Sequence, residues 1–137
     1  MSLHTTNYYN AFVEIAPDST VAKGEIPSPK GDKKTAATIQ FDMIRKHPYE
    51  FTSDDVVFQV FAEKQELTED EYSEARKQFF SKGQPCLRAS PLTKRYGWGV
   101  HYNAEGKIAI YGIETEEYNS FLTDQNLKTY KAMRSSK

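Results

Sequence analysis

Between Ser81 and Ala104 the chain carries Lys82, Arg88, Lys94 and Arg95 and not one Asp or Glu. A local field of one sign attracts anions. Arg88 and Arg95 present planar forks that can hold a phosphate or carboxylate by two parallel hydrogen bonds, and Lys94 adds a point charge. Ser90 and Thr93 add hydroxyl donors. Tyr96 and Trp98 add aromatic surface. The chemistry this pattern would serve is capture of an anionic small molecule or an acidic peptide. The plainer reading is that these cations pair with the acidic helix before them, or simply lie in water. Cys86, the one cysteine of the chain, sits in the same run. With His101 in reach it would be a nucleophile whose proton the imidazole takes; otherwise it is an inert, buried thiol.

A hairpin must position these groups. Residues 97–102 and 107–113 read as two strands joined at 103–106, where Gly106 can supply the left-handed residue that closes the turn. Side chains alternate along a strand, so Trp98, Val100 and Tyr102 share one face and Gly97, Gly99 and His101 the other. Ile108 and Ile110 are expected beside the first set. Two glycines at alternate positions leave a bare strip of backbone, which a strand tolerates where something approaches closely. A tightly packed helix would explain it. So would a ligand groove floored by Gly97 and Gly99 and flanked by His101 and Tyr111.

The remaining elements follow from periodicity and caps. Residues 9–16 alternate as a strand, and 17–34 form a long Gly- and Pro-containing loop. Residues 35–46 show an apolar face at helical spacing and stop before Pro48. In 53–64, Ser53 is the expected cap with Asp54 and Asp55 in the first turn, although the β-branched residues leave a strand open. Thr68 and Glu71 form a capping box for a helix over 68–81. Residues 115–124 repeat the pattern, and a short last strand falls in a basic tail, 126–137. The order predicts an α+β fold. Its sheet is small, antiparallel or mixed, with three to four strands including the hairpin 97–113, and about four helices pack mainly on one side.

At 137 residues one domain is expected. A net charge of −1 argues against general nucleic-acid binding. A single cysteine excludes an internal disulfide and a Cys-rich zinc site. The absence of a long apolar run excludes a membrane span, and no secretory signal is visible at the start, so a cytoplasmic location is the default expectation.

Other chemistry is thin. The run Lys30-Gly-Asp-Lys-Lys-Thr35 lacks the glycine directly before Lys-Thr that a phosphate loop needs. Lys33 and Lys34 at a helix start are explained by solvation and Asp32, or by an anion bound there. His47 is a weak candidate base, and Asp54 and Asp55 read as helix-start acids before they read as catalytic carboxylates. No nucleophile elbow, metalloprotease helix, Cys-x-x-Cys or dinucleotide fingerprint occurs, and His4, His47 and His101 lie too far apart to suggest a metal triad. No cofactor is expected.

Several stretches together resemble one family of small bacterial proteins of undetermined function. They are His4-Thr-Thr-Asn-Tyr8, the 30–35 turn, Pro48-Tyr-Glu-Phe-Thr-Ser-Asp-Asp55, and the run 79–99 from Phe-Phe-Ser-Lys-Gly to Tyr-Gly-Trp-Gly. The likeness spans nearly the whole chain but carries no activity, so it assigns no residue a role. The short stretch 97–111 is also similar to the glycine-then-hairpin core of the amino-terminal domain of TfoX-type competence regulators. The functional expectation is therefore a binding module for an anion built on 82–101. An enzyme using Cys86 and His101, or an interaction or regulatory domain that pairs with a second copy through the hairpin edge, stands as the alternative.

Overall fold

The computed structural model describes residues 3–29, 31 and 33–134. Lys30 and Asp32 of the glycine-lysine turn, and the last three residues of the basic tail, lie outside the described residues. The elements in order are β1 (Ala11–Glu14), α1 (Ala36–Lys46), α2 (Ser53–Lys64), α3 (Glu69–Phe79), a 3-10 turn at Leu87–Ala89, α4 (Pro91–Lys94), β2 (Trp98–Tyr102), β3 (Ile108–Gly112), α5 (Glu116–Thr123) and β4 (Lys128–Lys131). The four strands form one mixed sheet in the order β3-β2-β1-β4, with β4 parallel to β1 and the other pairs antiparallel. The α+β class expected from the sequence is the one observed.

Each helix starts where its cap says it should. Thr35, Thr52 and Thr68 each close a capping box, with Thr38, Asp55 and Glu71 respectively. The cap of α2 is thus Thr52, one residue before the expected Ser53, and the strand alternative for 53–64 is replaced by a helix. The hairpin register pairs Val100 with Ile110 and Tyr102 with Ile108, which places both isoleucines on the expected face. Asn103 Oδ1 accepts from the amides of Glu105 and Lys107, and Gly106 turns the chain at a φ of 80°.

The sheet has two covered faces. Ala11, Val13, Trp98, Val100, Tyr102, Ile108 and Ile110 face the main core, where Ala37, Phe41 and Ile44 of α1 and Val56 of α2 close over them. A second apolar cluster, Phe58, Ala62 and Phe80, fastens α3 to α2. The opposite face carries Phe12, Gly99, His101 and Tyr111, and α5 covers part of it through Tyr118 and Phe121.

Candidate functional site

The glycine strip is not an open groove. A Cβ on Gly99 would stand 2.5 Å from Phe12 Cζ and 2.7 Å from Tyr118 Cε2. A Cβ on Gly97 would stand 2.6 Å from the Lys23 carbonyl oxygen, and the residue sits at a φ of 79°. The bare backbone is therefore filled by α5 and by the long loop, as the close-packing alternative required, and the expected ligand floor is corrected accordingly. Trp98 belongs to the other face. Its indole N–H donates to the Glu25 carbonyl at 2.7 Å, and Arg45 lies over its ring.

The basic run is fastened into the fold instead of gathered at one point. Arg88 Nε donates to the Lys131 carbonyl at 2.8 Å and its guanidinium lies over Tyr130, which ties the 3-10 turn to β4. Ser90 is buried, caps α4 by accepting from the Leu92 amide, and donates to Gln40 Oε1. Thr93 is fully buried and donates to the Leu87 and Ser90 carbonyls. Tyr96 packs against the main core, Lys94 is half-buried and Arg95 exposed. Among the described residues the acids of α2 and α3 do not pair with this run; the one ion pair they make joins Asp55 to Arg76 at 2.9 Å.

Cys86 and His101 lie on opposite sides of the sheet. His101 pairs in register with Phe12 and stacks on Phe121 of α5 with ring centroids 4.2 Å apart. Cys86 meets Tyr8, whose ring packs on Tyr102 and Tyr130 of the core face. A sheet between thiol and imidazole rules out the proton transfer expected of a Cys–His pair.

His101 instead joins a tyrosine cluster that the sequence did not announce. Tyr49 Oη lies 2.8 Å from His101 Nδ1 and 2.9 Å from Tyr111 Oη. Tyr49 stands at a φ of 61°, an uncommon conformation for a bulky residue, and its amide donates to the Ile108 carbonyl at 2.8 Å. Burial holds the imidazole below its ordinary pKa of 6.5, with Asp124 pulling weakly the other way. Burial, and then the Tyr111 hydroxyl, push the Tyr49 phenol well up. The Tyr49 hydroxyl both donates and accepts, one bond running to His101 Nδ1 and the other to Tyr111, so every polar atom between the three rings is used.

The core face holds the mirror arrangement around Cys86. The N-terminal segment crosses the start of α2: Thr5 Oγ1 donates to Asp54 Oδ2 at 2.7 Å, while the Thr6 amide and hydroxyl both reach Asp54 Oδ1 at 2.6 and 2.7 Å. The Asp54 amide returns a bond to Asn7 Oδ1. This lays Tyr8 over Tyr102 edge-to-face and brings Tyr8 Oη to 3.6 Å from Cys86 Sγ. Tyr102 is completely buried and its hydroxyl has no hydrogen-bond partner among the described residues. Ser53 lies beside that hydroxyl, and its own Oγ is 2.9 Å from Thr6 Oγ1. Burial, and then the nearby Cys86 sulfur, raise the Tyr102 phenol far above its ordinary range. Tyr8 is raised by the same two causes, with Arg88 partly offsetting them.

Cys86 also opens outward. It lines a cleft of about 270 Å³ walled by Val57, Val60 and Phe61 of α2, by Phe79, and by Gln84 and Pro85. A neighbouring depression of about 450 Å³ shares Phe61, Phe79 and Gln84 and has Lys82 on its wall. No group of three His, Cys, Asp or Glu among the described residues is placed to hold a metal ion. Among the described residues no helix is long and apolar enough to cross a membrane.

The segments that build this region are the ones whose residue runs resembled a family: 4–8, 48–55 and 79–99. A family model described as a family of unknown function, DUF6157, matches residues 3–137. The chain belongs to that family. No curated protein and no solved structure matches it. Tyr8, Tyr49, Thr5, Thr6 and the Tyr102 hydroxyl were missed as site residues by spacing arguments. The signal of the first four lay in those runs, where polar and aromatic residues cluster without helical or strand period; Tyr102 lies beyond them, on β2.

Proposed function

We propose that this member of DUF6157 is a binding module whose ligand lies in the cleft beside Cys86, and that the ligand is a small amphiphilic carboxylate. The reading rests on one observation: two depressions share the Phe61–Phe79 wall, with amide and thiol groups at one end and Lys82 at the other. Small-ligand pockets run from about 300 Å³ upward, so the first depression alone suits a fragment and the pair suits a larger molecule. An apolar body would cover Phe61 and Phe79, Gln84 would accept or donate one hydrogen bond, and the acid would reach Lys82. Arg88 takes no part, because its guanidinium is held by the Lys131 carbonyl.

The test is a ligand-observed NMR screen of aryl and alkyl carboxylates against their matched primary amides. Binding by some acids is expected, lost in Val60→Trp, which fills the cleft, and reduced to the level of the amides in Lys82→Ala. Arg88→Ala and Arg95→Ala should leave it unchanged. If no acid binds, or if Val60→Trp binds as well as wild type, the proposal fails.

A further inference from the structure

Two phenols converge on one sulfur, and one of them is unused. Tyr8 Oη lies 3.6 Å from Cys86 Sγ. The Tyr102 hydroxyl, with the same sulfur nearby, is sealed from solvent and makes no hydrogen bond among the described residues, and its ring meets Tyr8 edge-to-face. A buried hydroxyl without a partner costs about 1–3 kcal/mol of desolvation. Tyr102 cannot turn away, since its direction is set by the pleat of β2, bonded on both sides. Cys86 is partly exposed and lines the cleft, the route by which a small reagent would reach it.

We propose that Cys86 is a site of reversible oxidation by a hydroperoxide, and that the Tyr8 and Tyr102 hydroxyls hold the sulfenic acid that forms. The sulfur attacks the terminal peroxide oxygen. The S–O bond forms as the O–O bond breaks, sulfur loses two electrons, and the departing hydroxide or alkoxide takes the thiol proton to leave as water or alcohol. Tyr8 donates to the sulfur as negative charge develops on it. The new oxygen supplies the acceptor that the Tyr102 hydroxyl lacks in the thiol state, so oxidation completes a hydrogen bond instead of breaking one. The chain has no second cysteine, so no internal disulfide can follow. Return to the thiol needs a small external thiol, which forms a mixed disulfide with release of water and is then displaced by a second thiol molecule.

This inference needs no carboxylate ligand, and its test is run without one. The intact chain is treated with hydrogen peroxide, and sulfenic acid at Cys86 is trapped with dimedone and followed by mass spectrometry. The wild-type chain should label at Cys86, and added low-molecular-weight thiol should remove the trappable species. A hydrogen bond to a charged or strongly polar group carries about 1.5 kcal/mol, so labelling should slow about tenfold in Tyr102→Phe. Tyr102→Phe removes an unpaired hydroxyl and is expected to fold, which a thermal melt checks; Tyr8→Phe is the second variant, with a loss of similar size. Absence of labelling in the folded chain, when the urea-unfolded chain labels, overturns the proposal. Equal rates in wild type, Tyr102→Phe and Tyr8→Phe overturn it as well.

Discussion

The two faces of the sheet carry the same parts with different outcomes. On one, Tyr49 and Tyr111 surround the imidazole of His101, and Tyr49 bonds both neighbours. On the other, Tyr8 and Tyr102 surround the thiol of Cys86, and the Tyr102 hydroxyl has no partner. The cause is where each tyrosine is anchored. Tyr49 comes from the connection between α1 and α2, and its backbone, at a φ of 61°, adjusts to aim the phenol. Tyr102 sits on a strand paired on both sides and points where the pleat directs it. A closed set of hydrogen bonds is explained by the fold alone. An orphaned buried hydroxyl near a cysteine sulfur is not, and the proposed oxidation of Cys86 starts from that difference.

Substitutions can press on this contrast. Gly99→Val should have the largest effect, roughly 3 kcal/mol by urea unfolding, because its side chain must displace Phe12 and Tyr118 and lift α5 from the His101 face. Next comes Asp54→Ala on the Cys86 side. It releases Thr5 and Thr6 from three bonds to a carboxylate and should cost about 2 kcal/mol. Loss of amide-exchange protection in residues 4–8 is the accompanying sign; retained protection there would show that Tyr8 is held by its ring contacts alone.

The matched pair of phenol deletions is the sharper comparison. Tyr49→Phe strips partners from His101 and Tyr111 and should destabilise by about 1 kcal/mol. Tyr102→Phe should leave stability within about 0.5 kcal/mol of wild type or raise it, since it deletes a hydroxyl that is already unpaired. Equal losses in the two variants would erase the distinction between the faces.

The smallest effect is that of pH. His101 is held below its ordinary 6.5 in the folded chain, so as pH falls through that value the unfolded state takes up a proton first. Stability should be complete above pH 6.5 and decline below it, levelling once the folded imidazole is also protonated. Denaturant midpoints measured across this range should show a shallower slope in His101→Gln than in wild type.

Much of this molecule is legible in residue order. The Thr68 capping box, the Asn103–Gly106 turn, the alternation of Trp98, Val100 and Tyr102, and the arrest of α1 before Pro48 are local signals, and each appears in the fold. The glycines at 97 and 99 correctly indicated close approach, yet what approaches them comes from the 18–34 loop, from β1 and from α5, remote in sequence. The cations of 82–95 share a run that a 3-10 turn and the short α4 interrupt, and Arg88 is drawn to β4.

Sequence by itself determined the α+β class and most of the elements to within a residue or two, though not the 3-10 turn and α4, and it left 53–64 open between helix and strand; caps, turns and hydrophobic period act over a few neighbouring residues. Tertiary structure alone decided that Cys86 and His101 are divided by a sheet, that Tyr49 serves one side and Tyr8 the other, and that one phenol is left without a partner. Those facts depend on which face of a strand is covered by which distant segment. That is settled by the burial of the whole core and not by any local preference.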